Sequence, residues 1–412
     1  MRRSAIAFAL LGLIAALPAH AADPIRIGLG MAQTGPLAAN GKSALLAMQI
    51  WKDDINAKGG LLGRPVEFVT YDDQSNPSTV PGIYTKLLDV DKVDLVVSGY
   101  GTNVIAPAMP IIIQHNRTFL SLFGLAVNSQ FHYPNYFTIT PTGQNAPIAS
   151  TIGFFEVGAA QNPPPKTLAI VAADAEYPRT SAEGVRTNAK KFGWDIVYDK
   201  TYPPNTTDFS PIVRAVQATS PDAVFVASYP LDSVGMVRAA NEVGLKTKLF
   251  GGGMVGLQTT SVKLQLGPLL NGIVNYDFWI PAKTMEFPGV LDFLKKYQDK
   301  AASEGVDPLG YYLAPWAYTY MQVLADAVEG AKDLDQGKIA DWLRSHTFKT
   351  IMGDIAFGED GELAEPRDLI VQYQHISGNG IDQFKDGRNP IILWPPKYKD
   401  GDAIYPYDQA QK

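Results

Sequence analysis

The stretch IRIGLGMAQTGPLAANGKSALLAMQIWKDDINAKGGLLGRPVEFVTY, residues 25–71, decides the fold class of this 412-residue chain. It opens with a short apolar run at Ile25–Leu29, which is typical of a buried strand. Apolar residues then recur at helical spacing over residues 45–55, and a Gly-Gly pair at 59–60 ends that pattern. A second strand-like run follows at Val66–Tyr71. This order of strand, helix and strand predicts a parallel β-α-β unit.

The same alternation continues along most of the chain and predicts an α/β fold, with parallel sheets covered by helices on both faces. Further strands are predicted at Val93–Ser98, Thr118–Leu122, Thr167–Ala172 and Asp222–Ala227. Further helices are predicted at Thr79–Val90, Ser181–Phe192, Ser210–Ala218, Ser233–Val243 and Tyr312–Glu329. The strand–loop–helix order restarts at residues 166–191, after three prolines at 163–165, which indicates a second lobe of similar construction. A proline-rich stretch inside a single domain would interrupt the pattern in the same way.

The loop at residues 32–43, AQTGPLAANGKS, ends in the Gly-Lys-Ser of a phosphate-binding P-loop. A P-loop has four residues between its first glycine and its Gly-Lys pair, because consecutive backbone N–H groups must curl around the phosphates. Five residues separate Gly35 from Gly41 here, and one of them, Pro36, has no N–H group. The spacing therefore argues against a nucleotide-hydrolysing enzyme.

The first 21 residues have the pattern of a secretory signal peptide. A basic start precedes an apolar run at residues 5–17, which is too short to span a bilayer, and the small-x-small sequence Ala-His-Ala follows at 19–21. We expect cleavage near Ala21, so that the mature chain begins at Ala22. The chain has no cysteine, and therefore no lipid-modified cysteine that would tether it. The expected location is the periplasm of a Gram-negative bacterium.

Composition argues against several classes of partner and cofactor. Without the signal peptide the chain has 33 basic and 41 acidic side chains, a formal charge of −8, and no basic stripe, so nucleic acid is not an expected partner. The lack of cysteine excludes disulfides, thiolate nucleophiles and cysteine-ligated metals. The histidines outside the signal peptide, His115, His132, His346 and His375, lack metal-ligand spacing. We expect a two-domain monomer without catalytic residues, metal or cofactor.

In parallel α/β sheets, ligands bind beyond the carboxyl ends of the strands. Six predicted loops at such ends are rich in Gly, Ser, Thr, Asn and Tyr: Met31–Asn40, Gly99–Ile105, Phe123–Ser129, Ala173–Thr180, Ser228–Asp232 and Gly251–Gly256. Such loops offer N–H groups, hydroxyls and aromatic faces with few charges, which suits a small ligand. The acidic pair Asp72 and Asp73 also ends a strand, but adjacent side chains on a strand point to opposite faces. That pair therefore predicts a loop-stabilising role and no acid–base catalysis.

Four segments together are distinctive: Thr34-Gly35-Pro36, DINAKGGLLGRPVEFVTYDDQSNP at 54–77, DFSPIVRAVQATSPDAVF at 208–225 and GLKTKLFGG at 244–252. They resemble one family, the solute-binding proteins of ABC importers of the branched-chain amino acid and amide type. The resemblance covers residues 25–384, and it is the order of these motifs behind a signal peptide that makes it specific.

The resemblance implies a type I periplasmic binding protein fold, in which two Rossmann-like lobes joined by three chain crossings close on a ligand. We expect the crossings near residues 142, 278 and 353. Lobe 1 would then comprise residues 22–142 and 279–352, and lobe 2 residues 143–278 and 353–385. The tail, residues 386–412, is expected to pack as irregular chain. The implied partners are a small-molecule ligand, carboxylate or amino acid, and the permease subunits of an ABC importer, with ATP hydrolysed by a separate subunit.

Family roles carry over to ten positions of this sequence. The opening loop would contribute Asn40 to the pocket wall, and Thr102 and Asn103 would hold a ligand carboxylate through hydroxyl and backbone N–H groups. The next loop, Gly124, Leu125 and Ala126, would offer main-chain groups. Tyr177 and Tyr229 correspond to tyrosines of the second lobe, Tyr312 to an aromatic residue at a helix start, and Gly253 to the family's ammonium-binding acid.

That last position departs from the family, because amino-acid binders have an acidic residue there to receive the ligand's ammonium group. Gly253 leaves this group without a partner, which costs several kcal/mol in a buried site. We therefore expect a carboxylate without an α-amino group, unless Asp232 or another acid replaces the missing one. Tyr100, Tyr177, Tyr229 and Trp279 suggest an aromatic ligand, although Trp279 could instead pack the lobes. The loop at 32–43 is expected to help close the ligand cleft.

Overall fold

The structure is a computed structural model that describes residues 23–411. The predicted signal peptide lies outside these residues. Within the described range, no helix combines the length and the apolar character needed to cross a bilayer.

Fourteen strands are present among the described residues. They are β1 (Ile25–Met31), β2 (Val66–Asp72), β3 (Leu95–Tyr100), β4 (Phe119–Leu122), β5 (Tyr136–Thr138), β6 (Thr167–Ala173), β7 (Asp195–Tyr202), β8 (Ala223–Ser228), β9 (Leu249–Met254), β10 (Val274–Asp277), β11 (Phe348–Thr350), β12 (Gly353–Ile355), β13 (Leu369–Gln372) and β14 (Ile391–Trp394).

The α-helices of the described residues alternate with these strands. They are α1 (Ala38–Ala57), α2 (Val80–Thr85), α3 (Thr102–Ile105), α4 (Met109–Gln114), α5 (Asn128–Phe131), α6 (Ala146–Ala159), α7 (Glu176–Phe192), α8 (Ser210–Ala218), α9 (Pro230–Val243), α10 (Thr260–Leu266), α11 (Val290–Glu304), α12 (Ala314–Ala331), α13 (Gln336–Ser345) and α14 (Tyr407–Ala410). The helix predicted at 79–90 is instead divided between a 3-10 turn, α2 and a π-helical turn at Lys86–Val90.

The first sheet contains five parallel strands in the order β2-β1-β3-β4-β5. Strand β1 is almost wholly buried, and its large apolar residues at 25, 27, 29 and 31 alternate with Arg26, Gly28 and Gly30. Ile27 of β1 pairs with Phe68 of β2 and with Leu95 of β3. The predicted β-α-β unit at residues 25–71 is confirmed.

The second sheet contains seven strands in the order β14-β13-β10-β9-β8-β6-β7. Strands β6 to β10 are parallel, whereas β13 and β14 are antiparallel to their neighbours. The predicted parallel pairing therefore does not extend to this edge. The α/β class and the two-sheet architecture are as predicted.

The C-terminal tail is not the irregular segment that the sequence suggested. Strand β14 pairs with β13 and forms the edge of the second sheet. Beyond it, the Tyr407 ring packs edge-on against Phe250, with 5.2 Å between ring centroids. The main chain at Ile404 exchanges two hydrogen bonds with the amide of Gln372, at 2.8 and 2.9 Å. The tail thus completes the second lobe.

The chain returns to the first sheet after β10. Helices α11 and α12 pack on α1, and the hydroxyl of Tyr320 in α12 donates to the carbonyls of Ser98 and Leu120, each at 3.0 Å. The chain then passes back to the second sheet at β13. The chain passes between the two sheets between β5 and α6 and again just after β10.

The third crossing lies later than the expected residue 353. Residues 353–363 still belong to the first lobe, because the Gly361 carbonyl accepts from the Thr138 N–H at 2.9 Å and the Phe357 ring packs on Phe137. The crossing comes at Arg367 and Asp368, whose N–H groups both donate to the Pro141 carbonyl. The first and third crossings are therefore hydrogen-bonded to each other.

Candidate functional site

The carboxyl ends of the parallel strands in both sheets face one cavity between the lobes. Protein atoms leave about 640 Å³ empty there, including the space that opens to solvent. Eight aromatic rings line it: Tyr100, Phe123, Tyr177, Phe225, Tyr229, Tyr276, Phe278 and Tyr312. The polar side chains in the lining are Thr102, Thr140, Thr142, Ser150, Ser181 and Asp368. The cavity therefore offers apolar walls with a few placed polar groups, as small-molecule sites do.

The first lobe contributes the loop after β3 and the loop after β4. Thr102 is buried, and its Oγ1 accepts a hydrogen bond from the Leu125 N–H at 3.0 Å. A hydroxyl that accepts this bond still has its own proton to donate. Thr102 thus ties the two loops together and presents a donor at the cavity wall.

A chain of three tyrosine hydroxyls joins the lobes. The Tyr312 hydroxyl, from the first lobe, lies 3.2 Å from that of Tyr100 and 3.1 Å from that of Tyr276, which lies in β10 of the second sheet. Burial raises the pKa of each of these phenols, so they stay protonated at neutral pH and can donate as well as accept. The Phe278 ring stacks on Tyr312, with 5.6 Å between ring centroids.

The second lobe contributes half-buried rings at its helix starts. Tyr177 lies in the first turn of α7, and Tyr229 directly precedes α9. Their ring centroids are 6.0 Å apart. The Tyr177 hydroxyl donates to the Gly253 carbonyl at 3.1 Å, and its N–H donates to Oδ1 of Asn103 across the cleft at 3.3 Å.

The hinge contributes a carboxyl group. Asp368 is 2 % exposed, lines the cavity, and has no hydrogen-bond partner for either carboxylate oxygen among the described residues. Thr142, from the first crossing, is equally buried, and its hydroxyl is also unpartnered within that range. Burial raises the pKa of Asp368 well above the usual range of an aspartate.

Six of the ten predicted site residues line this cavity: Thr102, Leu125, Tyr177, Tyr229, Gly253 and Tyr312. The other four do not. Asn40 faces a separate small space on the far side of Tyr312, Asn103 bonds to Tyr177 at the rim, and Ala126 lines an outer cleft. Gly124 has a packing role, because an added Cβ would lie 2.5 Å from the Tyr136 hydroxyl.

The loop at 32–43 lies outside the cavity lining, contrary to the expectation that it helps to close the ligand cleft. It is held instead by Asp72, whose carboxylate accepts from the N–H and hydroxyl of Thr34 and from the Gln33 N–H. Burial acts to raise the pKa of Asp72, but these bonds outweigh it and the pKa is lowered. The loop-stabilising role predicted for Asp72 is confirmed.

The structure places three further residues that the sequence singled out. Gly253 lines the cavity in tight surroundings, since an added Cβ would lie 3.1 Å from the Tyr177 hydroxyl and 3.3 Å from the Phe225 ring. Asp232, the suspected substitute acid, is outside the lining and accepts from the Tyr202 hydroxyl at 3.2 Å. Trp279 is fully buried and donates to the Met285 carbonyl, so it packs the lobe.

Sequence reasoning missed part of the lining. Tyr276 and Phe278 lie in and after β10, which was not predicted, although the apolar run at residues 273–280 was a signal for it. Asp368 and Thr142 lie at crossings, where no strand pattern marks them. Among the described residues, no group of His, Cys, Asp and Glu is placed to hold a metal ion.

Comparisons with known proteins give a consistent result. A family model described as "Periplasmic binding protein" matches residues 24–374. A leucine-, isoleucine-, valine-, threonine- and alanine-binding protein of Pseudomonas aeruginosa is 24% identical over 345 residues, which is 83% of this chain and 88% of that relative.

Two solved structures share the fold. The leucine-binding protein LivK of Thermotoga maritima matches with a TM-score of 0.74 and 19% identity, over 86% of this chain and 96% of its own. A solute-binding protein of an ABC transporter from R. palustris, in complex with benzoate, matches with a TM-score of 0.75 and 16% identity, over 92% and 99%.

Proposed function

The chain belongs to the periplasmic binding protein family, and we propose that it is the solute-binding component of an ABC importer, which traps a small carboxylate-bearing solute between its lobes. The observation that carries this proposal is the cavity itself, which is walled by both lobes and by the crossings. A ligand in that place contacts both lobes at once only when they are closed. It therefore stabilises the closed form over an open one.

The chemistry of the lining supports an acid with an apolar or aromatic body. Helices α7, α9 and α12 each begin within two residues of a lining tyrosine, namely Tyr177, Tyr229 and Tyr312. The positive ends of their dipoles favour an anionic group. The ligands named for the relatives, aliphatic amino acids in Pseudomonas aeruginosa and benzoate in R. palustris, are all carboxylates and support the same class.

We propose direct ligand contact for the six predicted residues that line the cavity, together with Tyr276 and Phe278. Thr102 donates to the carboxylate, and the rings enclose the body of the ligand. Asn103 contributes indirectly, through its bond to Tyr177 at the rim. Asn40, Gly124 and Ala126 support neighbouring elements.

The cellular context of the proposal follows from the family and the predicted signal peptide. The mature monomer works in the periplasm, and its closed form docks on the permease subunits of the importer. The protein itself binds and releases the solute without chemical change, so no enzymatic activity and no cofactor are part of this proposal.

A thermal-shift screen tests the proposed ligand class. The mature protein is unfolded, dialysed and refolded to remove bound solute, then melted with amino acids, amides and aromatic acids in turn. A ligand that binds only the folded state raises the melting temperature, by an amount that corresponds to about 2.7 kcal/mol at 100 times Kd. We expect at least one carboxylate to do so.

Two variants serve as controls for this screen. Tyr229→Ala removes a ring of the cavity and should reduce the shift, whereas Tyr405→Ala, in the C-terminal tail, should keep it. A screen in which amides or neutral solutes stabilise the protein and no carboxylate does would refute the proposed class.

A further inference from the structure

Asp368 is the one carboxyl group in the cavity lining, and the proposed function leaves it unused. It is 98 % removed from solvent, and neither carboxylate oxygen has a protein partner within the described residues. Buried carboxylates are ordinarily paired or hydrogen-bonded, because burying one without a partner costs several kcal/mol. An unpartnered carboxylate in a ligand cavity therefore points to a partner that the ligand supplies.

The rest of the lining contains no compensating charge. Its other members, among the residues that the structure describes, are aromatic, aliphatic, glycine, serine or threonine, with no lysine, arginine or histidine. Asp368 is thus the one carboxyl group among the described residues of the lining, and no basic side chain stands beside it there. A second unused polar group in the same lining is the Thr142 hydroxyl, which is also buried and has no hydrogen-bond partner among the described residues.

The position of Asp368 in the fold is fixed from two sides. It directly precedes β13, and its N–H donates to the Pro141 carbonyl of the first crossing at 2.9 Å. Because it sits where two crossings are bonded together, its carboxyl group can face the cavity without depending on the position of either lobe.

We propose that Asp368 is the specificity-determining residue that receives an amino group of the ligand, with the Thr142 hydroxyl beside it as a second partner. This inference rests on the proposed function and narrows its ligand to carboxylates that also carry an amine. An ammonium group converts the costly buried carboxylate into an ion pair, and the ligand's own carboxylate remains for Thr102. Asp368 thereby binds the ammonium group, which Gly253 cannot do because it has no side chain. The acidic residue then lies at the hinge and not in a loop at the end of a strand.

Calorimetry with matched pairs of ligands tests the inference. Leucine is compared with 4-methylpentanoate, phenylalanine with 3-phenylpropanoate, and 3-methylbutan-1-amine serves as an amine without a carboxylate. We expect the wild type to bind at least one amine-bearing acid at least tenfold more tightly than its deaminated partner. In Asp368→Asn the ratio should fall to about one or below, because the neutral amide offers no charge to the ammonium.

A matched acid variant separates this effect from a general loss of negative charge. Asp232→Asn removes an acid outside the lining and should leave the ratio as in the wild type. Circular dichroism and melting temperature establish that Asp368→Asn is folded. The ratio of the two affinities in the wild type is a second measurement that tests the inference without any variant.

The outcomes distinguish this inference from the function on which it rests. If deaminated acids bind the wild type as tightly as the amino acids, or more tightly, the inference is overturned and the proposed carboxylate class stands. If the amine alone binds and no carboxylate does, the role of Asp368 is supported and the carboxylate class falls. If no acid and no amine binds, both are overturned.

Discussion

Thr102 combines a structural bond with a proposed contact to the ligand, and the two can be separated by substitution. Its Oγ1 accepts from the Leu125 N–H, while its proton is directed to the carboxylate in our proposal. Thr102→Val keeps the shape but removes both bonds, and we expect binding of the best carboxylate ligand to weaken by roughly 1–3 kcal/mol, the cost of a buried polar group left unmatched. Isothermal calorimetry measures the change.

Thr102→Ser is the matched control, since it keeps the hydroxyl and removes one methyl group. It should bind within a few-fold of the wild type. If valine at this position binds as well as threonine, the carboxylate must sit elsewhere in the cavity.

The buried carboxyl group of Glu362 leads us to predict that the stability of the protein depends on pH, whether or not ligand is present. It is 4 % exposed, and burial, together with the nearby charge of Asp360, raises its pKa well above the usual range. An unfolded glutamate ionises near pH 4.3. Above that pH the unfolded chain releases a proton that the folded chain still holds, so the free energy of unfolding falls as pH rises towards the folded pKa.

Glu362→Gln replaces the titrating carboxyl group with a neutral amide. The free energy of unfolding of this variant should therefore depend less on pH than that of the wild type. Between pH 5 and pH 8 we expect the wild type to lose stability relative to the variant, by at most roughly 1.4 kcal/mol per pH unit. Urea unfolding at several pH values gives the comparison. Glu359→Gln, at an exposed position three residues earlier, should follow the wild type. Parallel curves for Glu362→Gln and the wild type would contradict the prediction.

At the scale of elements, the edge strand β14 and the short helix α14 convert an apparent tail into part of the second lobe. Tyr407 is 2 % exposed and packs between Phe250 and the Gly272 turn. We expect Tyr407→Ala to cost roughly 3–5 kcal/mol of stability, as large-to-small changes of buried aromatic residues do. Urea unfolding measures the loss.

The neighbouring Tyr405 provides the comparison, because it is only partly buried. Tyr405→Ala should cost clearly less than Tyr407→Ala. Equal and small losses for the two would mean that the tail lies on the lobe without stabilising it.

The position of Lys42 in helix α1 argues against a phosphate-binding P-loop. A P-loop lysine lies at the start of its helix, beside the phosphates. Here α1 begins at Ala38, so Lys42 lies in its second turn with an exposed side chain. We expect the purified protein to hydrolyse no ATP above a buffer blank in a phosphate-release assay, and Lys42→Ala to behave identically. Turnover that disappears in Lys42→Ala would contradict the proposed function.

The same elements explain what could be predicted from the sequence. Apolar residues are frequent in β1 to β4, β6 and β8, and these strands were found within two residues of their observed bounds. Strands β10, β13 and β14 were not predicted: β10 includes the polar residues Asn275 and Asp277, and β14 lies in a segment rich in Pro, Lys and Asp.

The site was predicted in part for a related reason. The rule that ligands lie beyond the carboxyl ends of strands identifies loops that follow parallel strands, and it brought Thr102, Tyr177 and Tyr229 together. Strand β13 is antiparallel to β10, with Leu369 paired to Asp277. Its first residue therefore lies at the edge where the parallel strands end, so Asp368 reaches the cavity from before a strand. No pattern in the sequence indicates this reversal.

At the scale of the whole molecule, two hydrogen bonds cross the mouth of the cleft. The Gln130 amide donates to the Glu176 carboxylate at 3.1 Å, and the Tyr177 N–H donates to Asn103 at 3.3 Å. Both are partly or fully exposed, and such contacts contribute little on their own. The buried hydroxyls of Tyr276 and Tyr312 also join the lobes, and a ligand that contacts both lobes adds to these bonds and shifts the population towards the closed form.

Paired fluorophores on Gln130→Cys and Glu176→Cys report this closure, and the absence of native cysteine makes the labelling specific. Pyrene groups attached at both positions form excimers when the lobes are closed. We expect excimer emission to rise with concentration of the best ligand and to saturate with the Kd measured by calorimetry, because binding and closure are one equilibrium. Singly labelled proteins show no excimer and serve as controls. Emission that stays constant through saturation would mean that the lobes are already closed without ligand, and that affinity is set by the cavity alone.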